Sequence, residues 1–417
     1  MIVMYYPVID RYTLYENFHI YCFLFFLCIL IGIFASIKLR YPFWNIQPVY
    51  HTYDFWRGFW REPFFIYKKA VSTKFVDLNT IDTMTYEDCI DDQKKAVINL
   101  LQCYYLPSEN TNFMFHLENL ESYMRSHISP SYISLYNRIS YISNDTSNIE
   151  SIKESLGCIS SRSGYLIIGN WRTPIYYIDY IALHRESPLL YWRKLLQTHI
   201  YRQHLFTPEI LGSLLKKEGN PYDGIVPFIQ SSSTIYEIST LLYENKTEIA
   251  LQEHFILIDF HKGNIDILFD FLESSQSAFA VICQTDKPSL LRLIENKILF
   301  VYGIKKVDDI FAIYIFRDMR TLTEEKGSPK GILQLSGSII NSSSTDLFYR
   351  GFQHSFRSII KKMPVFGILV IENISHNMFL YDRIRGPSID TSEMSYYLYN
   401  IVYSGSPFSG FQCFVIF

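Results

Sequence analysis

The sequence predicts a mixed α/β (α+β) protein: two successive strand–helix blocks carried behind one membrane-spanning helix. Three observations support this expectation. An uncharged apolar run, Ile20 to Ile37, stands near the amino terminus. Beyond Tyr41, short segments dense in β-branched and aromatic residues alternate with stretches of helical spacing. The order of elements in the first block (helix, antiparallel strands, helix, strand, closing strand) recurs in the second. The expected organisation is a short segment over 1–19, an anchor over 20–38, and domains over 41–245 and 246–417.

The run IYCFLFFLCILIGIFASI rises about 1.5 Å per helical residue, which just spans a hydrocarbon core of about 30 Å. Lys38 and Arg40 follow it, whereas Asp10, Arg11 and Glu16 precede it, so the positive-inside tendency places the remaining chain in the cytosol. The acidic residues and the cationic stop argue against a cleaved signal peptide. Asp91 to Tyr105 has helical spacing, with Val97, Leu100, Leu101 and Tyr104 on one face. Gly164–Gly169 and Ile175–His184 read as strands, with Asn170 to Pro174 as the turn between them. Ser187 and Pro188 then suit an N-cap and a first helical position. The helix behind them shows Leu189, Trp192, Leu195, Leu196 and Ile200 on one face.

In the second block, Phe255–Phe260, Ile298–Ile304 and Ile310–Phe316 read as strands, the last two pairing through a turn at 305–309. A helix over Leu347 to Lys362 presents Phe348, Phe352, Phe356 and Ile359, and Pro364 closes it. Val365–Ile371 and Met394–Tyr403 follow as strands. The wholly apolar end, Phe411 to Phe417, suits a central strand. The Ser-rich stretches Ser231–Thr234 and Asn341–Thr345 read as loops.

Composition narrows the function. With 417 residues, 48% of them hydrophobic, the chain can bury large cores without disulfides or structural metals. A net charge of -3 argues against a nucleic-acid surface, which needs concentrated Lys and Arg. The seven cysteines are odd in number and show no paired ligand spacing, as for reduced thiols in a cytosolic compartment with no metal site. No GxSxG elbow, P-loop or GxGxxG is present.

Four strings carry a resemblance. Tyr41-Pro42-Phe43-Trp44-Asn45-Ile46-Gln47-Pro48-Val49 resembles the entry motif of protein N-myristoyltransferases. Asp91 to Met124, including Phe113-Met114-Phe115, is similar to that family's first helices. Ile178 to His184 resembles its thioester-framing strand, and Tyr396-Tyr397-Leu398-Tyr399-Asn400 its penultimate strand. The resemblance implies two fused GNAT-like (Gcn5-related acetyltransferase) domains, the first on the acyl-CoA side and the second on the peptide side. The membrane anchor departs from the family's usual form. With the biased composition, it suits a divergent protein of a large DNA virus.

The same resemblance implies transfer of a long-chain acyl group from acyl-CoA, as co-substrate, to a peptide's N-terminal glycine. Tyr41, Phe43 and Trp44 would lie across acyl-CoA, with Arg193 and Lys194 near its phosphates. Tyr191 and Trp192 stand where small residues normally let backbone approach phosphate. The backbone N–H groups of Tyr180 and Ile181 map onto the oxyanion donors, and Asp179 onto a polar position near the amine. The family's amine-pocket threonine has no clear counterpart; the nearest stretch, Phe228 to Ser231, follows an apparent insertion over 207–224. The main-chain carboxylate of Phe417 would be the base. A carboxyl group is too weak a base in water, but burial raises its pKa and lowers that of the amine. His184, at a strand end, reads as a packed or capping residue. Two functions stay open: a membrane-bound N-acyltransferase, or a catalytically inactive relative keeping a lipid or peptide groove.

Overall fold

The computed structural model describes residues 17–56, 59–60, 62–106, 111–145, 148–188, 190–244, 250–251, 254–307, 309–325, 328–341, 344–384 and 386–417. Asp10, Arg11, Glu16, Leu189 and part of the 341–345 stretch lie outside them. The contacts divide the chain between Gln47 and Pro48.

The first unit is dominated by the helix Phe18–Arg40, whose 23 residues include none that is buried. At about 1.5 Å per residue it is long enough, and apolar enough, to cross a bilayer. Its only Lys and Arg, Lys38 and Arg40, fall in the last turn, where cations suit the helix dipole. A single turn, Trp44–Ile46, follows, with the Phe43 and Trp44 rings edge to face at 4.9 Å.

The second unit is built on one large, mostly antiparallel sheet of sixteen strands. Its first block is a meander of Tyr132–Asp145, Asn148–Ile168 and Trp171–Leu183. The helix Leu190–Phe206 then returns the chain to Gly212–Glu218, which runs parallel to Trp171–Leu183. The second block repeats the scheme. Leu299–Lys306, Asp309–Glu325 and Ser328–Ile340 form a meander, and the helix Thr345–Lys362 leads to the parallel strand Phe366–Glu372.

The blocks then exchange strands. Asp390–Tyr399, from late in the chain, lies between Gly212–Glu218 and Ile229–Glu237. Ile229–Glu237 in turn pairs with Phe366–Glu372. Cys413–Ile416 pairs parallel with Val281–Thr285, which pairs with Asn148–Ile168. One hydrophobic core therefore takes Leu166, Ile175 and Leu214 from the first block with Met394, Ile401 and Phe417 from the end of the chain. Another lies under the helix Thr345–Lys362, where Phe348 and Phe352 stack on Tyr314 and Phe316.

Several expectations are corrected. The first hairpin turns at Gly169, which has φ +55, so Thr173 and Pro174 belong to the strand. Ser231–Thr234 is not a loop but part of Ile229–Glu237, because pairing on both edges overrides the weak strand preference of serine. The 207–224 stretch holds the strand Gly212–Glu218. The last strand ends the strand order and is not central, although Cys413 to Phe417 are all buried. The strand expected over Met394–Tyr403 breaks at Asn400, which has φ +62. The Asn400 side chain accepts from the Tyr67 N–H at 2.8 Å and donates to the carbonyls of Tyr67 and Leu211. Asparagine tolerates the left-handed region and closes such turns through its amide.

His199, His204 and His376 are buried inside this unit. His199 sits between the Ser134 and Ser161 hydroxyls at 2.8 and 2.9 Å. Burial pushes its pKa down to about 3, and those of His204 and His376 down to about 4. The unfolded chain binds these protons near pH 6.5 and the folded chain does not. Stability is therefore full above about pH 6.5 and falls as pH drops toward 4, by up to about 1.4 kcal/mol per unit for each histidine. Urea unfolding should show a lower midpoint at pH 5.5 than at pH 7.5 (roughly one unit either side of the free histidine value). An unchanged midpoint would exclude neutral burial.

Candidate active site

Parallel pairing between Trp171–Leu183 and Gly212–Glu218 covers only Ile175 to Ile178 against Gly212 to Leu215. Beyond Ile178 the two strands part. On the other edge, the ladder with Asn148–Ile168 slips between Cys158/Ala182 and Ser160/Asp179. Tyr180 and Ile181 thus stand opposite Ile159 in a bulge, and Tyr180 takes φ +53. A left-handed bulky residue costs on the order of 1–3 kcal/mol and persists only where its surroundings fix it. Here the Tyr180 ring is held by Phe115 at 5.0 Å, Tyr123 at 5.4 Å and Tyr105 at 5.6 Å. Bulges of this type re-aim main-chain groups beside active sites.

The re-aimed Tyr180 N–H donates to the Asp179 carboxylate at 2.8 Å. A donor expected to meet a developing oxyanion is therefore already directed at an anionic oxygen. Asp179 also accepts from Arg162 Nη2 at 3.2 Å. Arg162 is buried, and its guanidinium lies over the rings of Tyr123, Tyr177 and Tyr180 at 4.7, 5.2 and 5.8 Å. Among the described residues its Nε and Nη1 groups have no hydrogen-bond partner, and the aromatic faces are their neighbours.

Phe417, just past the strand Cys413–Ile416, packs against the strand Trp171–Leu183, buried, with its ring stacked on Tyr177 at 4.6 Å. Its main-chain oxygen accepts from Arg317 Nη2. Burial works against the Arg317 charge, but the Tyr123, Tyr180, Tyr177 and Glu372 sites around it raise its pKa. A guanidinium at this point favours the ionised form of a carboxyl group, opposing the effect of burial. Gly164 is required here: a Cβ would come within 2.5 Å of both the Phe417 ring and the Gln284 carbonyl oxygen.

The opposite wall of the parting is also charged. Lys216 Nζ lies 2.5 Å from the buried Glu372 and 3.0 Å from Glu218. Burial again opposes its charge, but Glu372 foremost holds its pKa well above the ordinary lysine value. Gln334 donates to the same Glu372 oxygen at 2.6 Å.

The fold thus brings Asp179, Tyr180, Ile181 and Phe417 to one place. Arg193 and Lys194 lie apart from them on the helix Leu190–Phe206. Lys194 pairs with Asp77 at 2.9 Å, and Arg193 lies beside the Trp192 ring at 5.9 Å. Tyr41, Phe43 and Trp44 belong to the first unit. His184 caps a turn, accepting from the Glu186 N–H, and packs on Tyr104. The interior thiols are not activated nucleophiles: burial pushes Cys89 up to about 11 and Cys158 and Cys413 up to about 12.

Sequence reasoning missed Arg162, Arg317, Lys216 and Glu372. The available signal was faint: Glu372 is the single charge of an otherwise apolar strand, whereas Arg162, Arg317 and Lys216 share their strands with other charged residues.

A bulged strand parting from its parallel neighbour, framed by two helix-bearing meanders, characterises this mixed α/β fold. No family model matches the sequence, and no curated protein matches it. Solved structures do. The N-myristoyltransferase of Saccharomyces cerevisiae with bound myristoyl-CoA superposes with TM-score 0.66 at 16% identity, covering 88% of this chain and 94% of that one. The same yeast protein with bound myristoyl-CoA and inhibitors gives TM-score 0.67 at 16% identity, over 91% and 94%. The chain has an N-myristoyltransferase-like fold.

Removing one partner of a buried ion pair leaves an uncompensated charge, at a cost of about 3–5 kcal/mol, whereas removing both is far milder. D179A should therefore destabilise the protein strongly, and R162M/D179A should recover much of the loss. A urea double-mutant cycle in which the two substitutions simply add would show that the pair is not coupled.

Proposed function

We propose that this chain is a membrane-tethered protein N-acyltransferase, moving a long-chain acyl group from acyl-CoA to an N-terminal glycine. The bulge at Tyr180 and Ile181 carries this reading, because its main-chain donor already faces an anionic oxygen where the strands part. In the proposed reaction the glycine nitrogen bonds to the thioester carbonyl carbon, whose oxygen gains negative charge. The Tyr180 and Ile181 N–H groups stabilise that oxygen, at about 3–4 kcal/mol for a well-aimed donor. The C–S bond then breaks, CoA leaves as the thiolate, and the remaining extra proton on the new amide nitrogen passes to that thiolate, giving the neutral amide and CoA thiol. The Phe417 carboxylate accepts the ammonium proton beforehand, Arg317 fixing its position. Asp179 releases the Tyr180 N–H as the thioester enters and turns to the amine.

Tyr41, Phe43 and Trp44 are proposed to cover acyl-CoA, with Arg193 and Lys194 on its phosphates. The 41–245 half would serve the acyl-CoA side and the 246–417 half the peptide side. The helix Phe18–Arg40 would cross a host or virion membrane once, leaving the catalytic unit in the cytosol.

Calorimetric titration with a non-hydrolysable acyl-CoA should give saturable binding. R193A/K194A should weaken it, since hydrogen bonds to charged groups contribute about 1.5–3 kcal/mol each. Absence of binding to the unmodified protein would leave only a catalytically inactive scaffold. A glycine added after Phe417 displaces the carboxylate and should lower acyl transfer by about 10²–10⁴-fold, the range for losing a general base. Acyl-CoA affinity should barely change. Full transfer activity in the extended protein would remove Phe417 from the mechanism.

A further inference from the structure

Phe55, Trp56, Phe59 and Trp60 are 78, 83, 79 and 64% exposed, a density of bare aromatic surface that a folded unit rarely leaves to water. Both flanks of this segment are fixed. On the entry side, His51 bridges Ile225, the Thr52 N–H donates to Gly224 O, and His51 Nδ1 meets Asp54 at 3.0 Å. On the exit side, Phe64 and Phe65 pair with Val402 and Ile401, and the Trp60 carbonyl accepts from Ser404. The Phe59 N–H turns back to Trp56 O, with those two rings 6.4 Å apart. The aromatic groups are therefore presented from a fixed base.

We propose that these four side chains dock the folded unit onto the surface of a lipid bilayer bearing anionic headgroups. Charge complementarity selects this occupant. Between Phe55 and Lys74 the sequence carries five Lys or Arg residues against the single Glu62, and Lys68 and Lys69 are exposed. Aromatic rings with adjoining lysines suit the headgroup region of a membrane, whereas protein interfaces are depleted in lysine. Chain length agrees. Only fourteen residues separate Phe55 from Arg40, the last residue of the helix able to cross a bilayer. Such a tether extends to about 50 Å at most. The four rings enter the interface, while the lysines meet the headgroup phosphates and carboxylates.

The test uses the full chain in vesicles of phosphatidylcholine, with or without phosphatidylserine, whose acyl chains are brominated to quench nearby indoles. Quenching should be stronger with phosphatidylserine, and W56F/W60F should remove most of it. F55S/W56S/F59S/W60S should weaken partitioning of the unit by about tenfold or more. Far-UV circular dichroism and an unchanged melting midpoint would show that each variant is folded. Quenching that W56F/W60F leaves intact would overturn the proposal. So would a lipid-independent self-association lost in the four-serine variant, which would make the patch a contact between copies. Release of the chain by alkaline carbonate, with quenching still dependent on Trp56 and Trp60, would remove the membrane-spanning helix and uphold the docking surface.

Discussion

The strand exchange between the two blocks is the constraint on which the rest of the second unit depends. Asp390–Tyr399 fills the gap between Gly212–Glu218 and Ile229–Glu237, hydrogen-bonding on both edges. Without it, two rows of interior peptide groups would lack partners, which a buried sheet does not tolerate. Its insertion fixes the path of the chain afterwards. Asn400 turns that path, ties it to Tyr67 and Leu211, and sends the last residues back beside Val281–Thr285. Phe417 reaches Tyr177 and Arg317 by this route alone.

The exchange also explains why the centre is charged. Where two parallel strands part, main-chain groups and side chains of both walls face a common interior. Lys216 and Glu372 come from different blocks, as do Arg162 and Arg317. Buried charges of this sort contribute little net stability when compared with apolar replacements. Their value is positional. The Arg162–Asp179 contact holds a carboxylate against the Tyr180 N–H, and the Arg317 contact holds the Phe417 main-chain oxygen beside Tyr177. The left-handed Tyr180 is kept in place by the ring cluster of Tyr105, Phe115 and Tyr123. Strain, charge and aromatic packing thus converge on three consecutive residues.

Much of the fold was legible because it follows from local periodicity. The helix Asp91–Tyr104 buries Val97, Leu100 and Leu101, as its spacing predicts. The helix Thr345–Lys362 turns Phe348, Phe352, Phe356 and Ile359 inward. The apolar run emerged inside the longer helix Phe18–Arg40, and Ile310–Phe316 paired with its predicted partner strand. Legibility failed where tertiary pairing outweighs composition. Ser231 to Thr234 carry loop residues into a strand because neighbours on both edges supply the hydrogen bonds. Asn400 breaks an apolar run because its side chain answers groups distant in sequence.

By itself, the sequence determined the apolar helix, the two repeated blocks, and the strings that resemble an acyltransferase. These depend on side-chain periodicity and on residue types within short windows, which the chain carries wherever it folds. Only the tertiary structure decided that Arg162 meets Asp179, that Arg317 meets Phe417, and that Lys194 pairs with Asp77 instead of standing open. These pairs join residues from 17 to 117 positions apart. No local pattern encodes such contacts, because each follows from the register of strands brought together from separate parts of the chain.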